Sequence, residues 1–254
     1  MGLFDGKVAI ITGSSRGIGK AIAISFASQG AKVAVAALED TPLKSGLPGT
    51  VHQTAEEIEA IGGQALPVKT NVMDESEVQN LVDKVLDKWG RIDILINNAG
   101  IAAPIPFVEM TTKRWNLVIG VNLLGSYLCS KAVLPTMIKQ RSGNILNTTS
   151  PAARRRTKTF IGVAYCTAKA AIEEFTYQLA AELGEYNISV NCYFPEHDIA
   201  SEGLLFNLPP DFDRSTLVSP DIMVKAATFL CQQNCNGITG VVASAEELID
   251  MHAL

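Results

Sequence analysis

The chain has 254 residues, 47% of them hydrophobic and 19% charged, enough apolar material for one sizeable core and a single domain over residues 1–254. Its formal net charge of −5 at pH 7 argues against nucleic acid or an anionic membrane as a partner. The five cysteines, Cys129, Cys166, Cys192, Cys231 and Cys235, are scattered and include no C-x-x-C pair, so a reduced, cytoplasmic protein is expected.

In chain order, Lys7–Thr12 (KVAIIT) is β-branched and bounded by glycine, which predicts a strand. Ile18–Gln29 is a helix with Ile18, Ile22 and Phe26 on one face, and Lys32–Ala37 a second strand. A Pro/Gly-bearing loop through Gly49 leads to a helix at Thr50–Ile61, a strand at Gln64–Lys69 and an amphipathic helix at Glu75–Trp89. Ile92–Asn97 is the fourth strand. Lys113–Gln140 is a long helical stretch that Pro135 is expected to kink or interrupt. Gly143–Thr149 is strand five, a helical run follows to Gly184, and Ile188–Tyr193 is strand six. Phe194–Ser219 is irregular and suits a loop over a substrate, Pro220–Gln233 is a helix, and Gly240–Ala243 a last short strand.

Apolar strands separated by helices imply a doubly wound parallel sheet of about seven strands, a Rossmann-type α/β fold that binds ligands beyond the strands' carboxyl ends. No uninterrupted apolar stretch reaches membrane-spanning length, and MGLFDGK does not run from a charged segment into an apolar one, so neither a span nor a signal peptide is expected. His52 and His252 have no partners at metal-ligand spacing, so no metal is expected. Trp89 and Trp115 fall on helical faces as packing residues. The run Arg154-Arg155-Arg156 reads as a solvated loop.

Thr12-Gly13-Ser14-Ser15-Arg16-Gly17-Ile18-Gly19 joins the first strand to the first helix. Gly13 permits a tight turn, and Gly17 and Gly19 let backbone and helix close on a pyrophosphate held by helix N-terminal amides. This T-G-x-x-x-G-x-G spacing resembles the short-chain dehydrogenase/reductase family. The resemblance extends through Asn97-Asn98-Ala99-Gly100, Asn122 in Gly120-Val121-Asn122, Ser150, the Y-x-x-x-K pair Tyr165 and Lys169, and Val190-Asn191 followed by Pro195. It implies a hydride-transferring oxidoreductase acting on a ketone/secondary alcohol pair, with Asn122, Ser150, Tyr165 and Lys169 as the catalytic group. It also places the cofactor against Gly13, Ser15, Arg16, Gly17, Ile18, Gly19, Ala37, Leu38, Asn71, Val72, Asn98, Ala99, Gly100, Tyr165, Lys169, Pro195 and Ile199.

The chemistry needs these residue types. Positions i and i+4 share a helix face, so the Lys169 ammonium can approach the Tyr165 phenol and stabilise its ionised form. Tyr165 then serves as general acid or base, and Ser150 steadies charge on the substrate oxygen. By resemblance, Lys169 also holds the nicotinamide ribose and Asn122 anchors a proton-relaying water. Ala37 stands where an NAD-favouring carboxylate would be, and Arg16 lies in the turn, so NADP is expected over NAD. Glu39 and Asp40 follow closely enough to keep NAD possible.

The sequence departs from the family at Glu196 after Pro195, at Asn71 in place of an aspartate, and at Ser244-Ala245-Glu246-Glu247-Leu248 in place of Gly-Gly. Together with Leu47-Pro48-Gly49-Thr50, Ser150-Pro151 and Thr239-Gly240, these resemble the hydroxysteroid dehydrogenase-like protein 2 branch, here without a sterol-carrier domain. A small-molecule substrate, lipid or steroid-like, and a homodimer or homotetramer through the long helices are what the resemblance implies. The other readings of the sequence are a non-catalytic NADP-binding regulator and a nucleotide-cofactor methyltransferase. The first need not retain a proton-transfer pair, and the second has no use for Y-x-x-x-K.

Overall fold

The structure, a computed structural model, describes residues 2–43, 45–154, 161–209 and 211–254. Seven strands, β1 (Val8–Thr12), β2 (Lys32–Ala37), β3 (Gln64–Lys69), β4 (Ile94–Asn97), β5 (Gly143–Thr148), β6 (Ile188–Phe194) and β7 (Val242–Ser244), form one sheet in the order β3-β2-β1-β4-β5-β6-β7. Every pairing is parallel, with Ala9 opposite Val33 on one side and Ile94 on the other.

Strand alternation divides the core in two. Ala9, Ile11, Val33, Val35 and Ile96 point to one face, covered by helices α1 (Gly17–Ser28), α2 (Val51–Ala60), α8 (Asp221–Cys231) and α9 (Ala245–His252). Val8, Ile10, Ala34, Leu95, Ile145 and Val190 point to the other, covered by α3 (Glu75–Trp89), α5 (Gly125–Gln140) and α6 (Val163–Leu183). Each such buried Val, Ile or Leu contributes about 1.5–3 kcal/mol, which is why both faces must be covered.

The helix that follows β4 departs from expectation. Pro135 sits inside α5 without ending it. The interruption comes earlier, where α4 (Thr112–Ile119) passes through a five-residue π-helical turn, Gly120–Leu124, into α5. A π turn inserts one extra residue and re-aims the side chains it carries, and the residue at its centre is Asn122. The continuous run Thr112–Gln140 is long and apolar enough to cross a membrane by length and composition alone. Leu128, Cys129, Val133 and Met137 instead bury it against the sheet as a core helix.

Two further elements were not anticipated. The segment after β6 carries a short helix, α7 (Glu202–Asn207), whose base is pinned by a parallel bridge between Ile199 and Val218. The chain's last element is α9, started by a capping box in which Ser244 accepts from the Glu247 amide and Glu247 accepts from the Ser244 amide. The S-x-x-E pattern that signals such a start stands in the sequence at Ser244–Glu247.

Candidate active site

Chain connections leave β1 and β4 in opposite directions along the sheet, so a crevice opens beyond their carboxyl ends. On one side lies the glycine turn. Gly13 and Gly17 have φ of 65° and 61°, which L side chains rarely adopt. A Cβ on Gly19 would fall 2.5 Å from both Asn98 Nδ2 and the Gly13 carbonyl, so close helix–strand packing demands glycine there. Asn98 donates through Nδ2 to the Thr12 and Gly13 carbonyls at 3.0 and 3.1 Å, and the Asn98 and Ala99 amides both donate to Thr12 Oγ1. Asn98 and Ala99 therefore build the turn that the cofactor reading assigns to phosphate binding.

At the end of β2, Ala37 is buried and Leu38 exposed. The carboxylate of Glu39 swings back to the turn, 3.3 Å from Arg16 Nη1, and accepts from Ser15 Oγ at 3.3 Å. Arg16 further donates to the Pro48 and Gly49 carbonyls at 2.7 and 3.0 Å. The guanidinium on which the NADP expectation rested is thus engaged by three partners. Asn71 accepts from the Met73 amide and donates its own amide to Glu77 at 2.7 Å, while Val72 is buried beside Gly125. On the far side of the crevice, Pro195 follows β6 and Ile199 is buried.

The expected catalytic residues converge from three elements. Ser150, two residues past β5, starts a 3₁₀ turn by accepting from the Ala152 amide at 3.2 Å, and its hydroxyl lies close enough to the Tyr165 phenol to favour the ionised form. Tyr165 and Lys169 lie one turn apart on α6, and Lys169 Nζ stands 5.5 Å from the Tyr165 ring centroid. Lys169 is 3% exposed and donates to the Thr148 carbonyl at 2.6 Å. Burial pushes its pKa down to about 8. Burial also raises the Tyr165 pKa, with the Ser150 hydrogen bond opposing. Desolvation of the phenol and the ionisation that a neighbouring Lys169 charge would favour therefore act on Tyr165 in opposite directions.

Asn122, fully buried in the π turn, donates through Nδ2 to the Ile101 and Val118 carbonyls at 2.8 and 2.9 Å. Its Oδ1 has no hydrogen-bond partner. A Cβ on Gly100 would fall 2.8 Å from this oxygen and 3.5 Å from Lys169 Nζ, so the glycine leaves open the space between Asn122 and Lys169. An orphaned buried acceptor facing such a space calls for a donor from outside the chain. With the amide-lined turn at α1, these features fit an NAD(P) dinucleotide. Among the described residues, no group of three or more His, Cys, Asp or Glu could hold a metal.

A buried polar network near the site went unread in the sequence. Asn97 Nδ2 donates to Ser130 Oγ at 3.0 Å and Asn147 Oδ1 at 2.8 Å, and Asn147 continues to Thr176. This buried chain ties β4, β5, α5 and α6 together directly beneath the catalytic group. Its signal was polar residues at inward positions of otherwise apolar strands. Trp115, Ile101, Ile105 and Met110 pack in one apolar cluster with Tyr165. Arg154 pairs with Glu173 at 3.2 Å and donates to the Val242 carbonyl; Arg155 and Arg156 lie outside the described residues. His197 is exposed, 3.4 Å from Glu246.

A doubly wound parallel sheet with this glycine turn and this Ser-Tyr-Lys group defines an oxidoreductase class. The family model for short chain dehydrogenases matches residues 7–197, and the chain belongs to that family. It is 40% identical over 190 residues to the 3-oxoacyl-[acyl-carrier-protein] reductase of Synechocystis sp., covering 74% of this chain and 73% of that protein. It is also 40% identical over 196 residues to human hydroxysteroid dehydrogenase-like protein 2, covering 77% of this chain and 46% of that protein. The chain thus spans about half the length of that second relative.

Among solved structures, it resembles a short chain dehydrogenase from Mycobacterium thermoresistibile with a TM-score of 0.90 and 31% identity, over 99% of this chain and 89% of that one. It resembles a 7α-hydroxysteroid dehydrogenase complexed with NADH and 7-oxo glycochenodeoxycholic acid with a TM-score of 0.83 and 33% identity, over 95% and 93% of the two chains.

Proposed function

We propose that the protein interconverts a ketone and a secondary alcohol with an NAD(P) cofactor, and that Tyr165 is its general acid/base. The observation that carries this reading is the convergence of the Ser150 hydroxyl, the Tyr165 phenol and the buried Lys169 ammonium beside the orphaned Asn122 oxygen. When bound, the dinucleotide supplies or accepts the hydride. The α1 amides from Gly17 to Gly19 would hold its phosphates, and Tyr165 and Lys169 the nicotinamide ribose. In reduction, Tyr165 passes its proton to the carbonyl oxygen as negative charge develops there. Ser150 donates a hydrogen bond to the same oxygen. The Lys169 charge stabilises the phenolate left behind, and Asn122 Oδ1 accepts from a water that returns the proton.

The Glu39 contact favours NAD over the NADP that the sequence led us to expect. A 2′-phosphate would have to break the Arg16–Glu39 pair and sit against a carboxylate, whereas a 2′-hydroxyl could donate to it. The apolar wall beside Tyr165 suits a lipid or steroid-like carbonyl, in keeping with the similarity to a 3-oxoacyl-[acyl-carrier-protein] reductase and a 7α-hydroxysteroid dehydrogenase. Exposed Tyr127 on α5 and Tyr177 on α6 suit a homodimer or homotetramer through these helices.

The test is turnover of a ketone and secondary-alcohol panel, followed by nicotinamide absorbance, for the wild type and Tyr165→Phe. The expected outcome is unchanged cofactor binding with turnover lowered by about a hundredfold or more. Cofactor binding without turnover of any substrate in either protein would favour the regulator reading.

A further inference from the structure

Helix α1 begins without a cap from its own sequence: Arg16 makes no side-chain capping bond and the first turn holds no acidic residue. The cap arrives from far along the chain. Glu202 Oε2 accepts from the Gly17 amide at 2.6 Å, and Glu202 Oε1 lies 4.0 Å from Lys20, which also pairs with Glu57 at 2.7 Å. The neighbouring Ser201 presses on the same spot, its Cβ 3.2 Å from where a Cβ on Gly17 would stand. Both residues belong to the segment between Ile199 and Val218, rooted by the bridge between them.

We propose that Glu202 is an internal competitor for the cofactor's phosphates, an inference that rests on the dinucleotide reading above. A helix N-terminus attracts anions through its unpaired amides and its dipole. Here the Glu202 carboxylate takes that place. A diphosphate cannot share the Gly17 amide with it, because two anions at hydrogen-bond distance repel. Cofactor binding therefore requires Glu202 to leave, and since Glu202 sits on α7, the segment above the crevice must shift with it. Binding of the dinucleotide and opening of this segment are one event, and cofactor affinity is set below what the glycine turn alone would give.

The test measures NADH and NADPH dissociation constants by fluorescence titration for the wild type, Glu202→Gln and Glu57→Gln. Glu57 shares Lys20 while the Gly17 amide donates to Glu202, so Glu57→Gln reports the loss of a carboxylate beside Lys20 without loss of the amide contact. The expected result is about tenfold tighter binding for Glu202→Gln, the upper range for a charge at a helix terminus, with Glu57→Gln within about twofold of wild type. Equal tightening in both variants, or none in Glu202→Gln, would overturn the competition while leaving the dinucleotide reading intact. Absence of binding to either dinucleotide in all three proteins would overturn both.

Discussion

Replacing Lys169 with methionine should make the unliganded protein more stable while abolishing its turnover. In the folded chain the Lys169 pKa is lowered to about 8 from an ordinary 10.5 by burial. Below pH 8 the folded state therefore carries a buried ammonium that the unfolded state keeps in water, a cost on the order of 3 kcal/mol at 1.36 kcal/mol per unit. Methionine removes that cost but also the bond to the Thr148 carbonyl, leaving an acceptor unpartnered at about 1–3 kcal/mol. The balance is about 1–2 kcal/mol of stabilisation, a rise in Tm of about 2–6 °C for a domain of this size. Because unfolding takes up a proton between pH 8 and 10.5, wild-type stability should rise through that window and the advantage of the variant should shrink. Calorimetry at pH 7 and pH 9.5 checks both. A variant less stable than wild type at pH 7, or an advantage that grows with pH, would refute the reasoning.

Three other outcomes follow from the site. Glu39→Gln should move cofactor preference toward NADPH by about tenfold, as expected when a partly buried carboxylate beside a phosphate is neutralised; competition titrations check this, and an unchanged preference would remove Glu39 from cofactor choice. For carbonyl reduction, kcat/KM should be level below the Lys169 pKa of about 8 and fall above it, since the ammonium that supports Tyr165 is lost there; a profile still level two units higher would contradict this role. Ser150→Ala should lower kcat by about a hundredfold, the cost of one donor to a developing oxyanion, with dinucleotide affinity unchanged in the same titrations.

Much of the fold was legible because its signals are local and repeated. Continuous apolar runs such as Val8–Thr12 and Lys32–Ala37 can only be strands buried on both faces, and the helical periodicity between them forces parallel crossovers. The candidate site was proposed from motif resemblance, and the topology agrees with it in that Gly13, Asn98 and Ser150 all stand just beyond the carboxyl ends of strands. The π turn at Asn122 was not legible, since Pro135 was the obvious breaker and nothing local marks Gly120–Leu124. The return of Glu39 to Arg16 depends on a loop conformation that periodicity does not report. The Glu202–Gly17 contact joins residues 185 apart in sequence, through a segment with no regular pattern. In the last two cases the missing information is a long-range choice of side-chain partner.

The central claim, hydride transfer with proton transfer through Tyr165, is tested most directly by isotope transfer. Both C4-deuterated stereoisomers of NADH and NADPH, incubated with the wild type and a ketone that it reduces, should leave deuterium on the new carbinol carbon for one stereoisomer only, as read by mass spectrometry. Tyr165→Phe should bind the same cofactor and give about a hundredfold less labelled alcohol. Alcohol formed without deuterium from either stereoisomer, or labelled at the wild-type rate by Tyr165→Phe, would contradict the account.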